Sequence, residues 1–125
     1  MSVVVTGAQE TAAQLLHGIT AMEAKAVTAV AVTAGKVKRS AAERVSGRKY
    51  LPAYPSSITY TVSRGPEGPE AEIGPDKGRP QGPLGNLIEY GSIHNAPIPH
   101  LGPALDEHVD DLVRGIEIAA VQAFR

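Results

Sequence analysis

LIEYGSIHNAPIPHLGPAL, Leu87–Leu105, carries three prolines, two glycines and two histidines between a Glu-Tyr pair and a strongly patterned helix. Proline fixes φ and biases the residue before it toward extended backbone, so Pro97–Pro103 is expected to be a stiff, extended strap. Such a strap presents Ile98 and Leu101 with little entropy left to lose on docking. Gly91 permits a sharp turn after Tyr90. Glu89 is the one acid in an apolar run, which predicts a partly buried carboxylate acting as a cap or salt-bridge member rather than a catalyst. Pro99 lies within the strap. At its end, Gly102 stands where an N-cap belongs and Pro103 at the first helical position. From there Leu105, Val109, Leu112, Ile116, Ala119 or Ala120, and Phe124 trace one apolar stripe of a final helix. Two uses of the strap follow: it touches another protein, the reading favoured by its stiffness, or it closes the core over the final helix.

Moving toward the N-terminus, PDKGRPQGPLG reads as a mobile or extended loop. Before it, SSITYTVS alternates with Ile58, Tyr60 and Val62 on one face, and EAEIG places Ala71 and Ile73 together. The two runs form an antiparallel hairpin about the turn RGPEGP. YLPAYP breaks the chain. Earlier, Val27, Val30, Ala34, Val37, Ala41 and Val45 recur at spacings of three and four, predicting a helix of about 25 residues. It begins at a Thr20–Glu23 capping box and ends at Gly47. Gly35 in its middle marks a close neighbour or a bend. The stripe is thin, so a partner element approaches closely but buries little area per residue. Ahead of it, AQETAAQLLHG reads as a short helix with Leu15 and Leu16 inward and Gly18 as a stop, and SVVVTG as a first strand. The pattern predicts one α+β domain over residues 1–125: a small antiparallel sheet packed against a long N-terminal-half helix and an amphipathic C-terminal helix.

Composition narrows the function. With no cysteine among 125 residues, disulfides and thiolate chemistry are excluded. No apolar run approaches ~20 residues and no secretory signal precedes the domain, so no membrane partner and a cytoplasmic setting are expected. A net charge of −1 does not suit a polyanion binder, and the basic residues do not interleave with aromatics. The charges are, however, segregated. Residues 1–49 hold seven Lys/Arg against three acids, and residues 50–125 five against ten. Lys36, Lys38 and Arg39 on the long helix, and Asp106, Glu107, Asp110 and Asp111 on the last, are therefore candidates to meet across a subunit interface. His94, His100 and His108 lack metal-ligand spacing and are expected at a surface or interface. No G-x-S-x-G elbow and no paired acid–base set are present. Neither catalytic residues, metal nor cofactor is expected.

The whole pattern resembles the neck or tail-component family of long-tailed double-stranded DNA phages, the head–tail joining proteins. In that family v-E-f/y-G-t/s precedes a-x-P-f/h-l-x-P-A-l and a closing helix. The matching residues are Ile88, Glu89, Tyr90, Gly91 and Ser92, then Ala96, Pro97, Pro99, His100, Leu101, Pro103, Ala104 and Leu105. The likeness extends over nearly the whole chain, and its specific part is Leu87–Leu105. Two features depart from it. YLPAYPSS lacks the family's Thr-Gly before the hairpin, and the proline-rich Pro75–Pro83 replaces a more ordinary link. The resemblance implies a structural virion protein without catalytic activity, made in the host cytoplasm and resident at the neck. It implies a homo-oligomeric ring, six copies in the family, between portal and tail tube around the DNA channel. Neighbouring connector and tail proteins would be its partners, and DNA would pass without sequence-specific binding. A tail terminator or head-closure protein of the same connector is the near alternative. A small binding module or enzyme using the histidine-bearing loop 91–103 is the alternative from another class.

Overall fold

The computed structural model describes residues 6–124. Helix α1 spans Thr6–Arg44, a one-turn helix α2 Tyr54–Ser57, strands β1 and β2 Ile58–Gly65 and Gly68–Pro75, helix α3 Gly85–Tyr90, and helix α4 Leu101–Ala123. The fold is α+β, with a two-stranded antiparallel sheet beside a long helix and a C-terminal helix.

Helix α1 is longer than its sequence signals suggest. Its 39 residues reach about 58 Å at 1.5 Å each. Gly18 does not stop it. The glycine is buried because Phe124, just past the end of α4, lies over it, and a Cβ there would stand 2.5 Å from the ring. Thr20 does not cap a new helix either, since its hydroxyl donates back to the Leu16 carbonyl at 3.0 Å, a bond a helix interior accommodates. Leu15 and Leu16, expected inward, are 52% and 67% exposed because α4 ends opposite Gly18 and no described element covers the turns before it. The expected first strand lies mostly outside the described residues, and its Thr6 and Gly7 are helical. At the other end the helix closes near Gly47 as expected, through a left-handed turn at φ 77°.

Helices α1 and α4 run antiparallel. Gly18 meets Phe124, Ala29 meets Gly115, and Arg44 meets Glu107. Ala26, Ala34 and Ala41 are buried in α1, and Ala104 and Ala119 in α4, so the thin stripe does permit close approach. The predicted stripe is buried at Ala34, Val37 and Ala41 in α1, at Val45 just past its end, and at Ala119 in α4, and the buried face departs from it elsewhere. In α1, Ala26 and Thr33 are inside while Val27 is partly exposed. In α4, Ala104 is inside while Leu105 and Val109 face outward.

The hairpin also packs on α1. Its register pairs Ile58 with Pro75, Tyr60 with Ile73 and Val62 with Ala71, and Pro66-Glu67 make the turn. Tyr60 passes over Gly35, so the close neighbour there is a side chain. Arg64 ties the hairpin tip to Glu23 of α1 at 2.9 Å. The loop after β2, read as mobile or extended, is instead a series of tight turns: Arg79 N–H donates to Asp76, Gly82 to Arg79 and Leu84 to Gln81. The Gln81 side chain pins it, accepting from Ala53 N–H at 2.8 Å and donating to the Tyr50 carbonyl at 2.9 Å.

The main core gathers Val37, Ala41 and Val45 of α1 with Tyr54, Ile58, Ile88 and Ala104. Glycine is required where the turns fold back on the hairpin. A Cβ at Gly82 would stand 1.9 Å from the Asp76 carbonyl oxygen, a backbone atom that no rotamer change can move. Gly82→Ala should therefore cost about 1–3 kcal/mol, read as a lower urea midpoint. Gly74→Ala, with nothing within 4 Å of its Cβ, should leave the midpoint nearly unchanged.

Candidate functional site

The segment Leu87–Leu105 builds a buried polar cluster. Ile88 anchors α3 in the core, which turns Glu89 toward the start of α4. Gly91 then adopts φ 80°, and its N–H donates to the Leu87 carbonyl at 2.8 Å. A Cβ at this position would crowd Pro97 N at 2.8 Å, so both backbone angle and space demand glycine. Ser92–Asn95 form an exposed turn, and Ala96–His100 belong to neither helix nor strand. The segment ahead of the helix is shorter than expected, because α4 begins at Leu101 and takes Gly102 and Pro103 into its first turn.

The strap is used within its own chain. Ile98 N–H donates to the Ile88 carbonyl at 2.7 Å, and the Ile98 and Leu101 side chains pack against the core. His100 is the N-cap residue of α4, and its side chain caps nothing. Glu89 takes that part: Oε1 accepts from the N–H groups of His100 at 3.1 Å and Leu101 at 2.8 Å, and Oε2 from Gly102 at 3.5 Å. Pro103 has no N–H, and Ala104 N–H already reaches the His100 carbonyl. Every backbone donor of the first turn is therefore satisfied, and a negative charge sits at the positive end of the helix.

The His100 ring, 0% exposed, joins this carboxylate to Tyr54, also 0% exposed. Nδ1 lies 2.9 Å from the Ile98 carbonyl and 3.0 Å from Glu89 Oε1, both acceptors, so Nδ1 carries a proton. Nε2 then accepts from the Tyr54 hydroxyl at 2.7 Å when the ring is neutral. Burial, with the Glu89 charge nearby, pushes the Tyr54 phenol up to about 12. Burial also raises Glu89, but the amides of Leu101 and His100, the His100 ring and the Gly102 amide outweigh it and leave the carboxyl below the usual carboxylate range.

Phenol, imidazole and carboxylate in this order resemble an activated nucleophile and its base. Here the phenol stays protonated at neutral pH, and neither ring touches solvent. His100, expected at a surface or interface, is instead among the most buried residues and lies within the subunit. Tyr54 went unnoticed in the sequence, where YLPAYP reads only as a break. The scarcity of aromatics was the available signal, since a tyrosine set against the first hairpin strand is a rare means of filling a Val/Ala core.

The other sequence-selected residues lie outside this cluster. Tyr90, Pro97 and Pro99 are exposed, and Pro103 is partly buried. The charged faces meet, but inside the subunit, because α4 folds back along α1. Lys36 pairs with Asp111 at 3.7 Å, and Arg44 with Glu107 at 2.8 Å, where the Ser40 hydroxyl also donates. Ser40 and then Arg44 hold Glu107 below its ordinary value, and His108 and then Lys36 do so for Asp111. Lys38, Arg39, Asp106 and Asp110 have no ion-pair partner among the described residues. The α1 region Glu10–Arg44 is long and apolar enough to cross a membrane by length and composition. Within it, Glu23 and Lys25 are held by Arg64 and Gln122 of packed elements, contacts a lipid setting would remove. Comparison with protein-family models, curated proteins and solved structures finds no match.

Two pH effects follow. Glu89 has a lowered folded-state pKa, so its stabilisation is present above the unfolded value and is lost as pH falls through the folded one. Glu89→Gln should be less stable at neutral pH by about 1.5–3 kcal/mol and lack this part of the acid loss, compared by urea midpoints at pH 7 and in the acid range. Tyr54 has a raised pKa, so its contribution is intact below about 10 and is lost as pH rises toward about 12. Tyr54→Phe should cost about 1–3 kcal/mol at neutral pH and abolish that alkaline loss, along with the late-ionising component of the 295 nm titration.

Proposed function

We propose that this chain is a non-catalytic structural subunit of the neck of a long-tailed double-stranded DNA phage, one of several copies in a ring at the head–tail junction. The observation that carries the reading is the role of the residues behind the resemblance. Glu89, Gly91, His100, Leu101 and Ala104 each serve to fix α4 on the core, by capping, turning or filling. A motif that builds a scaffold rather than a reaction centre suits a virion component. Surface apolarity supports the multiple copies. Leu15, Leu16 and Ile19 on α1, and Leu105, Val109 and Val113 on α4 with Phe124 just past its end, remain exposed, more than a solitary small domain ordinarily leaves uncovered.

Quantitative mass spectrometry of purified tailed particles, with gold labelling of the chain, tests the reading. Several copies per particle at the junction are expected. Particles that lack the chain, or carry a single copy, overturn it.

The strap supplies a separate expectation. Because Ile98 and Leu101 pack on the subunit's own core, Pro97→Gly with Pro99→Gly should lower the melting temperature of the isolated subunit. The loss should correspond to about 0.4–1 kcal/mol per site, and incorporation into particles should fall in proportion. Near-normal melting with reduced incorporation would instead show the strap acting between proteins.

A further inference from the structure

Below the end of α1 lies a groove of about 400 Å³, between the turn Arg48–Leu51 on one side and α3 with the Ser92–Ala96 loop on the other. Leu51 and Ile88, which belong to the core, form its floor. Tyr50, Leu84 and Leu87 stand around it with much of their surface in solvent. Its rim holds Arg48 and Lys49, the latter 5.4 Å from the centre of the Tyr50 ring. No acidic residue lines the groove, and neither cation has an acidic partner among the described residues. The site therefore suits an apolar element that carries negative charge.

The chain itself contains such an element. The inner face of α4 is used against α1, through Ala104, Gly115 and Ala119. A second apolar row follows the outer side at positions 105, 109, 113, 116 and 120, the spacing of one helical stripe. Leu105, Val109 and Val113 in this row are about half exposed. Asp106 and Asp110 follow the first two directly, and both are exposed without a cationic partner among the described residues. Their neighbours Glu107 and Asp111 are already engaged by Arg44 and Lys36. One chain thus offers two free cations beside an apolar groove and two free carboxylates beside an apolar helix face.

We infer that the groove receives the outer face of α4 from a second copy of this chain, a contact that deepens the ring reading and rests on it. No α4 residue lines the groove, so the two surfaces do not meet within a subunit. Joining two different patches makes a head-to-tail contact, which closes into a ring or continues as a filament. A helix laid in an apolar groove supplies affinity, while the rim charges set direction and register. The exposed part of α1 around Leu15, Leu16 and Ile19 fits less well, because of its nearby acids, Glu10 and Glu23, the latter is already paired with Arg64.

Because the chain has no cysteine, an engineered pair reports this contact without background. Leu87→Cys with Val109→Cys places one thiol at the groove and one on the outer helix face, both at partly exposed positions. Under oxidation at high protein concentration, the full chain should give a ladder of dimers, trimers and larger species on a non-reducing gel. Each single variant should stop at dimers. In a second arm, Arg48→Glu with Lys49→Glu should weaken wild-type self-association by about ten-fold or more, and Asp106→Lys with Asp110→Lys in the same chain should restore most of it. Circular dichroism melts confirm that each variant is folded, and the cysteine pair leaves the charges untouched, so the two arms do not fail together. A missing ladder, or folded charge variants without rescue, overturns the contact. Particles that hold several copies while the ladder is missing leave the ring reading standing with a different interface; particles without the chain remove the ring reading itself.

Discussion

The Glu89 carboxylate holds this structure in register. Helix α4 starts with open backbone donors and no side-chain cap of its own, and Glu89 satisfies them from another element. The same oxygen lies against Nδ1 of His100, whose opposite nitrogen meets Tyr54. One charged group thereby fixes the start of a helix, the tautomer of a buried imidazole and the position of the largest side chain in the core. A buried charge is tolerated only when its lone pairs are occupied, and here three amides and a ring occupy them.

This dependence follows from the composition of the core. Alanine and valine dominate the contact between α1 and α4, so the helices come close together but exclude little apolar area. Shape and polar satisfaction must then define a unique packing that bulk hydrophobicity leaves loosely specified. Tyr54 and His100 meet edge-on with ring centres 5.3 Å apart, filling the volume that a richer core would give to Leu or Phe.

The local signals in the sequence carried the elements better than they carried their surroundings. Alternation in SSITYTVS and EAEIG located the hairpin, and the apolar repeat through Val37, Ala41 and Val45 located the central part of α1. Gly18 misled because a glycine that receives an aromatic ring looks, in one dimension, the same as a glycine that ends a helix. Pro103 misled in a similar way: at the third helical position, as at the first, no intrahelical bond needs its N–H. Glu89 was recognisable as a partly buried cap, but its partners were not, because Tyr54 and His100 lie 35 and 11 residues away and only tertiary folding joins them. The charged faces were complementary as expected. What sequence alone could not supply was that α4 folds back along α1, which consumes Lys36 and Asp111 inside one subunit.

The antiparallel return of α4 also governs how fast the molecule can form. Lys25 reaches Gln122 across 97 residues, and closing a loop of that length costs about 4 kcal/mol of chain entropy before the first contact compensates for it. Although most of the described residues are helical, this topology adds non-local contacts, which slow the search. The hairpin and the adjoining part of α1 join nearer segments than α1 and α4 do. The carboxylate that caps α4 is carried by α3, so the short segment from Gly85 to Tyr90 must be in place before that cap can form.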